Sequence, residues 1–107
     1  MATLKAVIAD PNGTVRVTDI ENDLGAFQAV VGGYIQGVFG DEATIYVDED
    51  GLMRRLPFNP VATLFAQRMG HLGKQLFGTA LILGPDDGKG SDTPVRPTVV
   101  EYLTKEN

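Results

Sequence analysis

Apolar and polar positions change period several times along the chain, and each change predicts an element. Leu4 to Ala9 reads as a strand with Leu4, Ala6 and Ile8 on one face. Asp10-Pro11-Asn12-Gly13 supplies turn chemistry, and Thr14 to Thr18 alternates again, so the first 18 residues predict a β-hairpin. Leu24, Phe27, Val30, Val31, Tyr34, Ile35 and Val38 then recur at helical spacing, with Asn22 placed to cap the helix and Asp23 in its first turn. Gly32-Gly33 interrupts that stripe, and either ends the helix or marks close backbone packing, because glycine in a helix interior costs about 1 kcal/mol relative to alanine.

Ala43–Asp48 and Leu52–Leu56 alternate once more and predict a second hairpin across Glu49-Asp50-Gly51. Asn59-Pro60 then opens a helix as N-cap and first helical residue, with Val61, Leu64, Phe65, Met69 and Leu72 as its apolar face and Gly70 and Gly73 as candidate stops. Gly78 to Leu83 has little polar alternation and reads as a central strand covered on both faces. A Gly/Pro/Asp-rich flexible loop is expected over 84–97, and Thr98-Val99-Val100-Glu101 reads as a capping box opening a short C-terminal helix. The expected fold is one α+β domain over 1–107: an antiparallel sheet of about five strands, made of two hairpins and a central strand, packed by two main helices. An uncovered sheet face could make a homodimer, since small domains enlarge their core by association.

Composition narrows the chemistry. There is no Cys and one His among 107 residues, which removes disulfide frameworks, thiolate metal sites and cysteine nucleophiles and leaves only His71 as an imidazole. A lone His beside a helix stop is expected to donate to the last carbonyls of that helix. No nucleophile motif or metal-ligand spacing is present, so no enzyme activity, cofactor or metal is expected. Asp48-Glu49-Asp50-Gly51 has the acid density of a calcium loop, but its glycine comes too early. In Gly84-Pro85-Asp86-Asp87-Gly88-Lys89-Gly90-Ser91 the glycine spacing is wrong for a phosphate-binding loop and two acids oppose an anion. The N-terminal stretch is too short and too weakly apolar for a signal peptide and nothing is long enough to span a membrane, so a cytoplasmic location is expected.

The net charge of −5 sits wholly in residues 1–58, which hold four basic and nine acidic residues, while 59–107 hold five of each. This disfavours direct nucleic-acid binding, which depends on clustered Lys and Arg, and favours a partner with a basic surface. Two binding readings follow. Asp48, Glu49 and Asp50 form an acidic turn suited to such a protein partner, with Arg54 and Arg55 pairing across the hairpin to Asp48 or Glu49. Alternatively Gly32-Gly33-Tyr34 offers close backbone approach and an aromatic platform, with Arg54 or Arg55 meeting the phosphate of a nucleotide-like ligand held between helices and sheet or across a dimer interface. The structural counter-reading is that Gly32-Gly33 serves helix packing and Tyr34 fills the core.

Taken in order, Val30-Val31-Gly32-Gly33-Tyr34-Ile35-Gln36, Ile45 to Leu52, Leu56-Pro57-Phe58-Asn59-Pro60-Val61-Ala62 and Phe77 to Gly84 resemble a family of small domains common in phage and mobile-element genomes, domain of unknown function 3846. The resemblance covers roughly residues 4–103, and this chain carries Gln36 where members usually carry Glu. It implies a phage-encoded accessory protein of the host cytoplasm, and no reaction, cofactor or catalytic residue. A non-enzymatic interaction protein that binds a host or phage protein is the first expectation, and a small-ligand binder the second.

Overall fold

A computed structural model describes residues 2–105 of the chain. Five strands, β1 (Thr3–Ala9), β2 (Val15–Glu21), β3 (Ile35–Phe39), β4 (Thr44–Asp48) and β5 (Ala80–Leu83), form one sheet in the order β2-β1-β5-β4-β3, antiparallel throughout. Three helices accompany it, α1 (Leu24–Val31), α2 (Pro60–Arg68) and α3 (Pro97–Thr104). The α+β class, the five-stranded antiparallel sheet and the single compact domain are therefore as the periodicity indicated.

Strand alternation divides the core in two. Val7, Ala9, Val38, Ile45, Val47, Ala80 and Ile82 turn to one face, where they meet Ala62, Phe65 and Ala66 of α2 and Val99 and Leu103 of α3. Leu4, Ala6, Ile8, Ile20, Leu81 and Leu83 turn to the other and meet Phe27 and Val31 of α1. β5 is buried at all four positions because it lies in the middle of the sheet with helices on both sides. The expectation of one uncovered sheet face is thus corrected: α1 occupies the face opposite α2 and α3.

The second hairpin is built differently from its expected form. The apolar stripe predicted to run helically through Tyr34, Ile35 and Val38 stops at Val31, where Gly32 takes a left-handed conformation (φ 93°) and its N–H bonds the Gln28 carbonyl at 2.7 Å. The next residues satisfy a two-residue period equally well. They form β3, which pairs with β4 from Ile35↔Asp48 to Phe39↔Thr44. Leu52–Leu56 is therefore no strand. It closes a coil of turns in which Arg54 N–H bonds Asp50 O, Arg55 N–H bonds Leu52 O and Leu56 N–H bonds Gly51 O, with Arg55 itself left-handed at φ 59°.

The helix ends show how local chemistry shifts by one residue. Asp23, not Asn22, caps α1, its Oδ1 accepting from Ala26 N–H at 2.7 Å. Asn59 caps α2 as expected, with Pro60 first in the helix. That helix buries Ala62, Thr63, Phe65 and Ala66 rather than the predicted Leu64, because the alanines allow close approach to the sheet; Leu64 faces solvent, and Leu72 lies past the helix end at Arg68. Arg96 and Pro97 start α3 without a side-chain cap, so the Thr98–Glu101 capping box does not form.

Residues 84–96 contain no helix or strand, but hydrogen bonds hold their path: Gly84 N–H to Thr93 O at 2.8 Å, Thr93 Oγ1 to Pro85 O at 2.6 Å and Val95 N–H to Lys5 O at 2.8 Å. Val95 thereby takes the place beside β1 that β5 leaves beyond its own end.

Candidate functional site

The segments that sequence reading singled out, Gly32–Tyr34 and Asp48–Arg55, meet at one end of the sheet. Tyr34 O accepts from Glu49 N–H at 2.9 Å, which extends the β3–β4 ladder by one pair and fixes the two segments together. Asp48 ends β4 with its side chain only 2% exposed. Its Oδ1 accepts from Asp50 N–H at 2.7 Å, and its Oδ2 accepts from Arg54 Nη1. Arg54 is half exposed and its Nη1 also reaches Gly32 O at 3.4 Å, tying the end of α1 to the turn. The expected pairing of Arg54 with Asp48 is present, within one coil of turns rather than across a hairpin.

Gly33 is needed there for space. A Cβ on it would lie 2.6 Å from Asp48 Oδ2 and 2.8 Å from Arg54 Nη1, inside any real contact distance. The Gly-Gly pair thus has two separate causes: Gly32 reverses the chain at the helix end, and Gly33 lets the ion pair pass beneath it. Tyr34 does not fill the core; its residue is 70% exposed.

Together Gly25, Gln28 and Ala29 of α1 with Gly33, Tyr34, Asp48, Asp50 and Arg54 line an open depression of about 560 Å³. Five of the eight candidate residues are brought together in it, and Gly32 adjoins through its carbonyl. Glu49 and Arg55 are outside: Glu49 faces a separate cleft of about 90 Å³ with Gln36, Leu52 and Gln75. The small residues of α1 make a low floor, Tyr34 supplies an aromatic wall, and Asp50 supplies an exposed carboxylate. Arg54 adds little free positive charge, since its guanidinium is paired with buried Asp48. Chemically the arrangement suits a cation set against an aromatic ring better than a phosphate.

A second depression, of about 340 Å³, was not visible in the sequence. Tyr46 stacks on Phe27 at 5.6 Å between ring centroids and meets Phe39 edge-on at 6.4 Å, while its hydroxyl donates to Asp92 Oδ1 at 2.7 Å. Asn22, Asp23, Leu24, Ile35 and Gly90 to Asp92 complete its walls. Burial, then the hydrogen bond to Asp92 and the negative charges of Asp92 and Asp86, push the Tyr46 phenol well above its ordinary range. Only the alternation of β4 could have placed Tyr46 on the α1 face; nothing in the sequence joins it to Asp92, 46 positions away.

His71 does not donate its side chain to its own helix. Its backbone N–H bonds Ala66 O at 2.9 Å, whereas Nε2 bonds Phe39 O of β3 at 2.7 Å. Among the described residues no three His, Asp or Glu side chains gather as metal ligands, and no helix is long and apolar enough to cross a membrane.

Fold and site define a class: a small α+β domain with helices on both faces of an antiparallel sheet and an aromatic, acidic depression where β3 and β4 meet. The chain belongs to the family described as domain of unknown function DUF3846, whose family model matches residues 4–107, as its sequence resemblance implied. No curated protein and no solved structure matches it.

Proposed function

We propose that this protein is a non-enzymatic interaction module that binds a basic segment of a protein partner at the Tyr34–Asp50 depression. The observation that carries this reading is the Tyr34 ring, exposed at the mouth of the depression beside Asp50, while the nearby cation, Arg54, is tied to buried Asp48. A partner Lys or Arg has a ring face and a carboxylate to meet there, and a phosphate has no free cation. The acidic bias of residues 1–58 steers a basic partner toward the same half of the chain. The phage and mobile-element setting implied by the family resemblance supports a host or phage protein of the cytoplasm as that partner. A small-ligand binder has less support, because the depression is open and its only arginine is paired.

Asp48 is structural in this reading, so the informative variant is Tyr34→Ala with Asp50→Lys, both at exposed positions. Wild-type and variant chains are immobilised, incubated with lysate of the bacterial host, and the captured proteins identified by mass spectrometry. A stoichiometric basic partner, retained by wild type, lost by the variant and released by raising the salt, is the expected result. Equal capture by both chains, or a small bound mass in place of a protein, overturns the reading.

A further inference from the structure

The two edges of the sheet differ in kind. β2 carries Arg16, Asp19 and Glu21, the charged guard that edge strands commonly use against unwanted pairing. β3, Ile-Gln-Gly-Val-Phe, carries no charge and no proline. Its free hydrogen-bonding groups can be read from the ladder. Glu49 N–H bonds Tyr34 O and Gly40 N–H bonds Ala43 O, so in the Ile35↔Asp48 register the bonded pairs are 34/49, 36/47, 38/45 and 40/43. Ile35, Gly37 and Phe39 therefore turn their backbone N–H and C=O groups away from the sheet. His71 Nε2 confirms this direction by bonding the Phe39 carbonyl from outside. Both backbone groups of Ile35 and of Gly37 are left without a partner in the β-ladder.

We propose that this edge is the contact between two copies of the chain, which pair β3 to β3 antiparallel about a two-fold axis between their Gln36 residues. In that register Ile35 of each copy faces Gly37 of the other, and the two pairs exchange four N–H···O=C bonds. Those bonds use the unpaired groups of Ile35 and Gly37 and leave the Phe39 carbonyl to His71. The two Gln36 side chains then stand directly opposite each other, in a non-hydrogen-bonded pair where side chains are closest. The Gln36 side chain is exposed and makes no hydrogen bond among the described residues. A neutral amide, donor and acceptor at once, is suited to meeting its own copy across a two-fold axis, where a charge would repel itself. Five strands become a ten-stranded sheet with its only free edges at the charged β2. The dimer is tested apart from the Tyr34–Asp50 reading, through Gln36, which does not line that depression.

The test uses Gln36→Lys and Gln36→Glu, two substitutions at an exposed position. Sedimentation equilibrium should show wild type as a dimer at micromolar concentration. Each variant alone should raise the dissociation constant by about tenfold or more, from like charges set opposite each other. An equimolar mixture of the two should restore dimer, with native mass spectrometry reading the mixed species. Circular-dichroism spectra that coincide for all three chains separate lost pairing from lost folding, and the wild-type melting midpoint should rise with protein concentration more than those of the variants. Hydrogen exchange should show the Ile35 and Gly37 amides protected in wild type and exposed in Gln36→Lys. A wild type that stays monomeric at 100 µM, variants that dimerise as well as wild type, or a mixture that associates no better than its components would each overturn the proposal.

Discussion

At Gly33 the space left by an absent side chain decides whether a buried charge has a partner. The Asp48 carboxylate is withdrawn from water and is held by one backbone N–H and one guanidinium, both in the turn that follows it. Losing a partner at such a site exposes the desolvation cost of the remaining charge. Gly33→Ala sets a methyl against the Asp48 carboxylate and the Arg54 guanidinium, and the half-exposed Arg54 is the group that swings away, leaving buried Asp48 without its cation. A loss of about 2 kcal/mol in urea-unfolding free energy is expected. Gly33→Ala combined with Arg54→Ala should cost little more than Gly33→Ala alone, because both changes remove the same contact. Additive losses would mean that the methyl strains something else. The glycine pair was visible in the sequence, but its reason was not, because Asp48 and Arg54 become neighbours of Gly33 only after β3 has paired with β4.

At the scale of elements, legibility followed how local the deciding interaction was. The first hairpin, the Asn59-Pro60 helix start and the buried β5 rest on short-range chemistry, and all three were readable. β3 was not, since Ile35, Gly37 and Phe39 alternate with Gln36 and Val38 while the same stretch continues a helical stripe from Leu24; the left-handed Gly32 breaks the tie. Asn59 shows a readable residue with an unreadable second task. Its Oδ1 caps α2 through Ala62 N–H at 3.0 Å, and its fully buried Nδ2 donates to Ala9 O at 2.9 Å and Gly78 O at 2.8 Å. The helix start is thus clasped to the end of β1 and the approach to β5. Removal of a cap costs about 1 kcal/mol, and the Ala9 and Gly78 carbonyls each lose a buried donor as well, so Asn59→Ala should destabilise by about 3 kcal/mol. Asn59→Asp should be worse, since it keeps the cap acceptor but aims a carboxylate at two carbonyls. If chemical denaturation finds Asn59→Ala near 1 kcal/mol and Asn59→Asp close to wild type, only the cap matters.

Across the whole molecule, the long 84–96 connection is fastened to the sheet by backbone bonds at its ends and by one side-chain bond, Tyr46 to Asp92, over the α1 face. That bond needs the phenol proton. In the folded chain the Tyr46 phenol is held above its ordinary value of about 10 by burial first and Asp92 second. The unfolded chain therefore releases this proton at a lower pH than the folded one. Above the unfolded value the unfolded state binds fewer protons, so stability falls as pH rises; below it, the contribution is fully present. Denaturant midpoints measured from pH 8 to 11 should decline for wild type above about pH 10, the unfolded tyrosine value. In Tyr46→Phe the midpoint should start lower, from the lost Asp92 bond, and decline less steeply. Ultraviolet titration of the folded protein should show a late phenol phase that is absent from Tyr46→Phe. A Tyr46 phenol that ionises near its ordinary value with the protein still folded would mean that Asp92 does not hold it, and that the connection is fastened by its backbone bonds alone.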